Sequence, residues 1–174
     1  MNTVLDAMKE RRSIRRFKEE LPRKEELEQI IEAGLCAASG MGRQAPIIVA
    51  VTDKELRDKL SEQNAKIMGR EGIDPFYGAP AVLIVLADKS VPTYVYDGSL
   101  VMGNMMLAAH TLGLGSCWIH RAREEFQSEE GKALLKALGI EGEYEGIGHC
   151  VVGYIEGEEP EAKERKADRT FWVE

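Results

Sequence analysis

The chain has 174 residues, of which 44% are hydrophobic and 30% charged, with 17 Gly and 6 Pro. That balance excludes disordered, collagen-like and membrane-embedded chains and suits one soluble domain over residues 1–174 with a core of its own. A net charge of −7 argues against nucleic acid or an anionic membrane as the partner, because both demand a broad positive field.

Three cysteines, Cys36, Cys117 and Cys150, are odd in number and widely spaced. They form neither a metal-ligand pattern nor a disulfide framework, and a reducing cytoplasm fits them best. The opening MNTVLDAMKERRS meets a charge at Asp6 and lacks the apolar core of an export signal.

Taken in order, the chain predicts a helix near Thr3 to Arg11, with Val4, Leu5 and Met8 on one face, and a second near Arg23 to Ala38 after Pro22, with Leu27, Ile30, Ile31 and Leu35 at helical spacing. Continuous apolar runs at Ile47 to Val51, Ala81 to Ala87 and Cys150 to Ile155 read as buried strands. Helices over Asp53 to Met68 and Ser128 to Leu138 alternate with them. Gly98 to His120 contains no Asp, Glu, Lys or Arg, yet Gly98, Gly103, Asn104 and His110 interrupt it and Gly113-Leu-Gly115 breaks it. It therefore reads as a buried helix of roughly 15 residues followed by a strand at Ser116 to Ile119, rather than a membrane span. Such a helix belongs at the centre of a domain or between two subunits. The pattern is α+β or α/β around a central sheet. The tail from Glu156 is highly charged but ends Thr170-Phe-Trp-Val173, and two terminal aromatics are expected to dock on something.

Chemistry concentrates in a few places. Lys9-Glu-Arg-Arg-Ser-Ile-Arg-Arg-Phe-Lys18 is strongly basic within an acidic protein. In an extended segment Arg11, Ser13 and Arg15 project on one side, two guanidinium forks around a hydroxyl, which suits a phosphate; a solvated basic surface is the other reading. Lys163, Arg165, Lys166 and Arg169 form a second cluster among acids. The turn Ala38-Ser-Gly-Met-Gly-Arg-Gln-Ala-Pro46 lets main-chain donors approach a flat ligand but matches neither a P-loop nor a dinucleotide fingerprint. His110 and His149 read as interior histidines, and no nucleophile, base or carboxylate pair has suggestive spacing.

The order of these pieces resembles the FMN-dependent nitroreductase family. Arg11-Arg-Ser-x-Arg15-x-Phe17, Ser39-Gly-x-Gly-Arg-Gln44-x-Pro46, Gly78-Ala-Pro80 and Leu107-Ala-Ala-x-x-Leu-Gly-Leu-Gly-Ser-Cys-Trp-Ile119 carry the likeness along the length of the chain. The resemblance implies an α+β fold with a central mixed β-sheet flanked by helices, two FMN molecules in clefts shared by a homodimer, and a C-terminal tail docking on the partner subunit. It assigns FMN contacts to Arg11, Arg12, Ser13 and Arg15, to Ser39, Gly40, Gly42, Arg43 and Gln44 across the interface, to Trp118, Ile119, His120 and Arg121 along the ring, and to Lys163 and Arg165 in the tail. Phe76 and Tyr77 line substrate or fill core.

The chain departs from the family where Gly42 replaces a frequent Asn, Ile47 a frequent Trp, and His120-Arg121 a frequent Glu-Gly or Gly-Gly. The implied activity is hydride transfer from NAD(P)H through flavin N5 to a small-molecule acceptor such as a nitroaromatic or quinone, in two half-reactions. Flavin reduction, ene reduction, reductive dehalogenation and noncatalytic flavin binding are the alternatives. The cofactor would carry the redox chemistry, so no catalytic side chain is required.

Overall fold

A computed structural model describes residues 3–174. The elements in chain order are α1 (Thr3–Glu10), α2 (Lys24–Leu35), a 3-10 turn (Gly40–Gly42), β1 (Pro46–Val51), α3 (Lys54–Ile67), β2 (Ala81–Asp88), α4 (Tyr94–Thr111), β3 (Leu114–Ile119), α5 (Ala122–Gln127), α6 (Glu129–Ala137) and β4 (Tyr144–Tyr154). The four strands form one sheet in the order β1-β2-β4-β3, and every ladder between them is antiparallel. The sheet's parallel component is the isolated bridge from Ser13 to Ser116.

Strand alternation makes this sheet the middle of three layers. In β2, Val82, Ile84 and Leu86 face one apolar cluster and Ala81, Leu83 and Val85 the other, as a pleat buried on both sides requires. The first cluster gathers Leu60 of α3, Phe126 of α5 and Leu135 of α6 with Ile14, Phe17 and Phe76. The second gathers Leu27 and Ile30 of α2 with Val101, Met102 and Met105 of α4. Among the described residues, no helix is long and apolar enough to cross a membrane.

Two boundaries shift from those read in the sequence, for identifiable reasons. Strand β4 begins at Tyr144, well before Cys150, because its two early glycines, Gly146 and Gly148, are there for clearance and not to make a loop. A Cβ on Gly146 would lie 2.2 Å from the Ala122 carbonyl oxygen, and one on Gly148 would lie 2.2 Å from the Trp118 indole nitrogen. Helix α4 likewise starts before the charge-free segment, since Asp97 is buried inside its first turn with its oxygens occupied. Helix α5, only six residues long, is too short to show a period.

Candidate functional site

After α1 ends, residues 11–17 run along the outer edge of the sheet. The Ile14 N–H donates to the Ser116 carbonyl at 2.9 Å, and the Lys18 N–H donates to that of Tyr154 at 2.9 Å. Ile14 points into the core, so its neighbours Ser13 and Arg15 face the other way, and the regular alternation ends before Phe17, which is also in the core. Gly115 permits this close approach, since a Cβ there would meet Ile14 at 2.8 Å.

Arg11, Ser13 and Arg15 are brought together beside Cys117 of β3. Burial pushes the Cys117 thiol up, against the opposing pull of Arg15, Ser13 and Arg11. Burial likewise pushes the Cys150 thiol up to about 12, which favours the protonated form of both thiols. Arg11 Nη1 is buried without a hydrogen-bond partner, a costly arrangement for a cationic donor unless an anion meets it. The Arg15 guanidinium lies 5.9 Å from the centre of the Tyr77 ring, within cation–π range. Tyr77 is half-exposed and holds a left-handed φ of 55°.

Arg12 and Phe76 are held away from the open face. Arg12 turns back to close α1, its Nη1 donating to the carbonyls of Lys9 and Glu10 at 2.7 Å and of Arg11 at 3.0 Å; it is a helix C-cap. Phe76 has no exposed surface and packs on His149 and Arg57, which leaves Tyr77 as the aromatic on the open face.

The glycine turn is built at the opposite side of the sheet, where it leads into β1. Ser39 Oγ accepts the Gln44 N–H at 3.0 Å, and Met41, Gly42 and Gln44 all take positive φ. Gly42, Arg43 and Gln44 are exposed. The loop is pinned by α4, as Asp97 accepts the Gly40 N–H at 3.0 Å.

At the far end of β3, Ile119 is a core side chain, whereas Trp118 packs partly buried on the α4 side. The exposed His120 ring lies 5.9 Å from that of Trp118. Arg121 takes the left-handed conformation, φ 78° and ψ 7°, at a position where the family motif often has glycine. The tail leaves the sheet beside the cradle, with the Glu156 N–H donating to the Arg16 carbonyl at 3.1 Å. A recess of about 180 Å³ is lined there by Ser13, Arg15, Arg16, Ile155, Glu158 and Pro160. Lys163 and Arg165 lie further along the tail, and both are exposed.

Sequence reasoning missed the polar residues that support these loops. Asp97 was hidden by the choice of helix boundary. Asn64 and Glu125 have no exposed surface and carry no local motif, while His149, read as an interior histidine, is fully buried with them. Arg57 ties α3 to the segment before β2, donating to the Ala79 carbonyl at 3.0 Å and to Asp74. Burial raises the Asp74 carboxyl, but Arg57, Ser61 and the Gly78 N–H together hold it below its usual value.

Residues 8–154 match the family described as the nitroreductase family. The chain belongs to the nitroreductase family. Its likeness to a nitroreductase with bound FMN from Bacteroides fragilis covers 100% of both chains, at a TM-score of 0.90 and 28% identity. It is also 31% identical over 145 residues to an FMN reductase [NAD(P)H] of Bacillus subtilis, and 32% identical over 124 residues to a relative from Methanothermobacter thermautotrophicus. These matches cover 71% and 66% of this chain but only 56% and 59% of the two relatives. As a nitroreductase-family chain it therefore has the fold at full coverage and a shorter span than these two curated relatives.

Proposed function

We propose that this protein is a homodimeric FMN-dependent oxidoreductase that uses NAD(P)H to reduce a small-molecule acceptor such as a nitroaromatic or quinone. The observation that carries the reading is the buried, unpartnered Arg11 Nη1 beside Ser13 and Arg15, the donor set a phosphate monoester would satisfy. In this reading Arg11 and Ser13 hold the phosphate end of FMN, Arg15 lies toward the pyrimidine edge of the ring, and Lys163 and Arg165 close on the phosphate from the tail. When bound, FMN supplies the redox chemistry, taking a hydride from NAD(P)H at N5 and passing reducing equivalents to the acceptor in two half-reactions.

The sheet order supports a site shared between two copies. The 39–44 loop enters β1 and the Arg11 segment pairs along the outer side of β3, at opposite edges of β1-β2-β4-β3, four strand spacings or about 19 Å apart. Ser39, Gly40, Gly42, Arg43 and Gln44 then meet the ring held by the other copy. Val95, Tyr96 and Leu100 of α4 are exposed, with Val4, Leu5 and Met8 of α1. Contiguous apolar surface of this kind suits a subunit interface better than solvent. Phe171, Trp172 and Val173 are more than four-fifths exposed, which supports docking of the tail on the second subunit.

The protein's own residues position the ligand. Trp118, His120 and Arg121 run along the ring, and Tyr77, held against Arg15, forms the wall over which acceptors enter. Titrating the purified protein with FMN and following NADH and NADPH oxidation with nitroaromatic, quinone and free-flavin acceptors tests the reading. Binding with turnover supports it, and FMN binding without turnover by any acceptor makes the protein a flavin carrier.

A further inference from the structure

The geometry points to Asn64, Glu125 and His149 as a buried positioning relay that fixes the His120–Arg121 peptide at the ligand face. This rests on the proposal that these two residues run along FMN. Asn64 of α3 donates from Nδ2 to the His120 carbonyl at 2.8 Å, and the same nitrogen reaches Glu125 Oε2 at 3.3 Å. Glu125 Oε2 in turn lies 2.7 Å from His149 Nε2 on the central strand β4. All three residues have no exposed surface.

The position of the cluster is what gives it meaning. It interrupts an otherwise apolar layer, where hydrophobic residues of similar volume would pack without the cost of burying a carboxylate and an imidazole. Asn64 Oδ1, Glu125 Oε1 and both His149 ring nitrogens make no hydrogen bond among the described residues, Nε2 lying close to Glu125 as an ion-pair contact only, so the cluster does not exist to satisfy itself. What it delivers outside itself is one oriented donor, from Asn64 to His120.

That donor sets the turn. A trans peptide is planar, with its C=O and N–H opposed; when Asn64 holds the His120 carbonyl inward, the Arg121 N–H is directed outward. Arg121 keeps its left-handed backbone without being glycine, a conformation that persists only when surroundings over-determine it. On the other side, the Glu125 N–H donates to the Arg121 carbonyl at 3.0 Å. Helix α5 is itself pressed in place, for Gly146 leaves no room for a Cβ beneath Ala122, and Gly131 none beside the Glu125 carbonyl. Glu125 and His149 thus act through Asn64, and Asn64 acts through the main chain.

The test is a double-mutant cycle on the FMN-loaded protein, using Asn64→Leu, Arg121→Gly and the pair. Asn64→Leu should alter the visible circular dichroism of bound FMN and lower kcat about three- to tenfold. Arg121→Gly, whose backbone accepts positive φ freely, should shrink that loss when combined with it. Additive effects, or an Asn64→Leu protein that loses only thermal stability, would overturn the relay. Glu125→Gln, which keeps the side-chain volume, runs the same cycle if Asn64→Leu does not fold. Failure of the wild-type protein to take up FMN would sink the cofactor reading instead. The relay then stands or falls on amide exchange at Arg121 in the FMN-free protein, which Asn64→Leu must accelerate.

Discussion

Asp97 and Gly40, 57 residues apart in the chain, are joined by a 3.0 Å hydrogen bond from the Gly40 N–H to the Asp97 carboxylate. The second carboxylate oxygen accepts from Thr93 Oγ1 at 3.0 Å, and a Cβ on Gly40 would fall 2.3 Å from that same hydroxyl. The loop proposed to reach across the dimer is thereby locked to the helix whose exposed face carries Val95, Tyr96 and Leu100. Asp97→Ala should cost about 1–3 kcal/mol of stability, lowering Tm by roughly 2–12 °C for a chain of this size. It should also weaken FMN binding, although Asp97 lies away from the Arg11 cradle. Thermal melts and FMN titration check both, and undiminished affinity would detach the loop from the site.

Arg11→Ala removes the buried donor that has no internal partner. FMN affinity should fall by about 1.5–3 kcal/mol, roughly tenfold or more, while the fold gains from losing an unpaired buried cation. Isothermal titration of the apoprotein measures the first effect and a melt the second. Lys163→Ala and Arg165→Ala belong in the same titration: each weakens binding if the tail closes on the phosphate, and unchanged affinity removes the tail from the site.

Leu100→Glu places a charge on the exposed stripe of α4, where one carboxylate per subunit would be buried at the interface. Sedimentation should show the wild-type protein at twice the chain mass and the variant shifted toward the monomer, with FMN affinity lost in parallel. A variant that stays dimeric with full affinity would move the interface elsewhere.

Much of the architecture could be read before any coordinates, because it rests on period. The β2 run and the Leu27-Ile30 and Val101-Met105 faces show their burial directly. The Arg11-x-Ser13-x-Arg15 alternation needed only an extended backbone to become a cradle, and Ile14 supplies that by anchoring the position between Ser13 and Arg15 in the core. The supports were not legible. His149 shows in the sequence only as an interior histidine, and it, Asn64, Asp97 and Glu125 meet their partners across long stretches of chain, where no local spacing signals a contact made by tertiary packing. Nor does a basic run reveal which guanidinium turns back on the preceding helix, as Arg12 does.

Glu26 gives the stability a pH dependence of definite sign. Its carboxylate accepts from the Arg23 guanidinium and backbone N–H, both at 2.9 Å, and from Tyr154 Oη at 2.8 Å. Arg23 first, then Tyr154, lower its pKa from 4.5 to about 2 against the opposing effect of burial. A depressed folded-state pKa stabilises fully above the unfolded value and is lost as pH falls through the folded one. Glu26→Gln should therefore be less stable than wild type at neutral pH, by about 1–3 kcal/mol. The gap should close between pH 4.5 and about 2. Urea unfolding across that range measures it, and a gap independent of pH would show that the Glu26 charge is not what ties α2 to β4.

The central claim is that this fold holds FMN where a nicotinamide can reduce it. Anaerobic addition of NADH or NADPH to the FMN-loaded protein, followed by the visible flavin absorbance, tests that most directly. At least one nucleotide should bleach the band, and adding a quinone or nitroaromatic should restore it. A protein that takes up no FMN, or bound FMN that stays oxidised with both nucleotides, would contradict it.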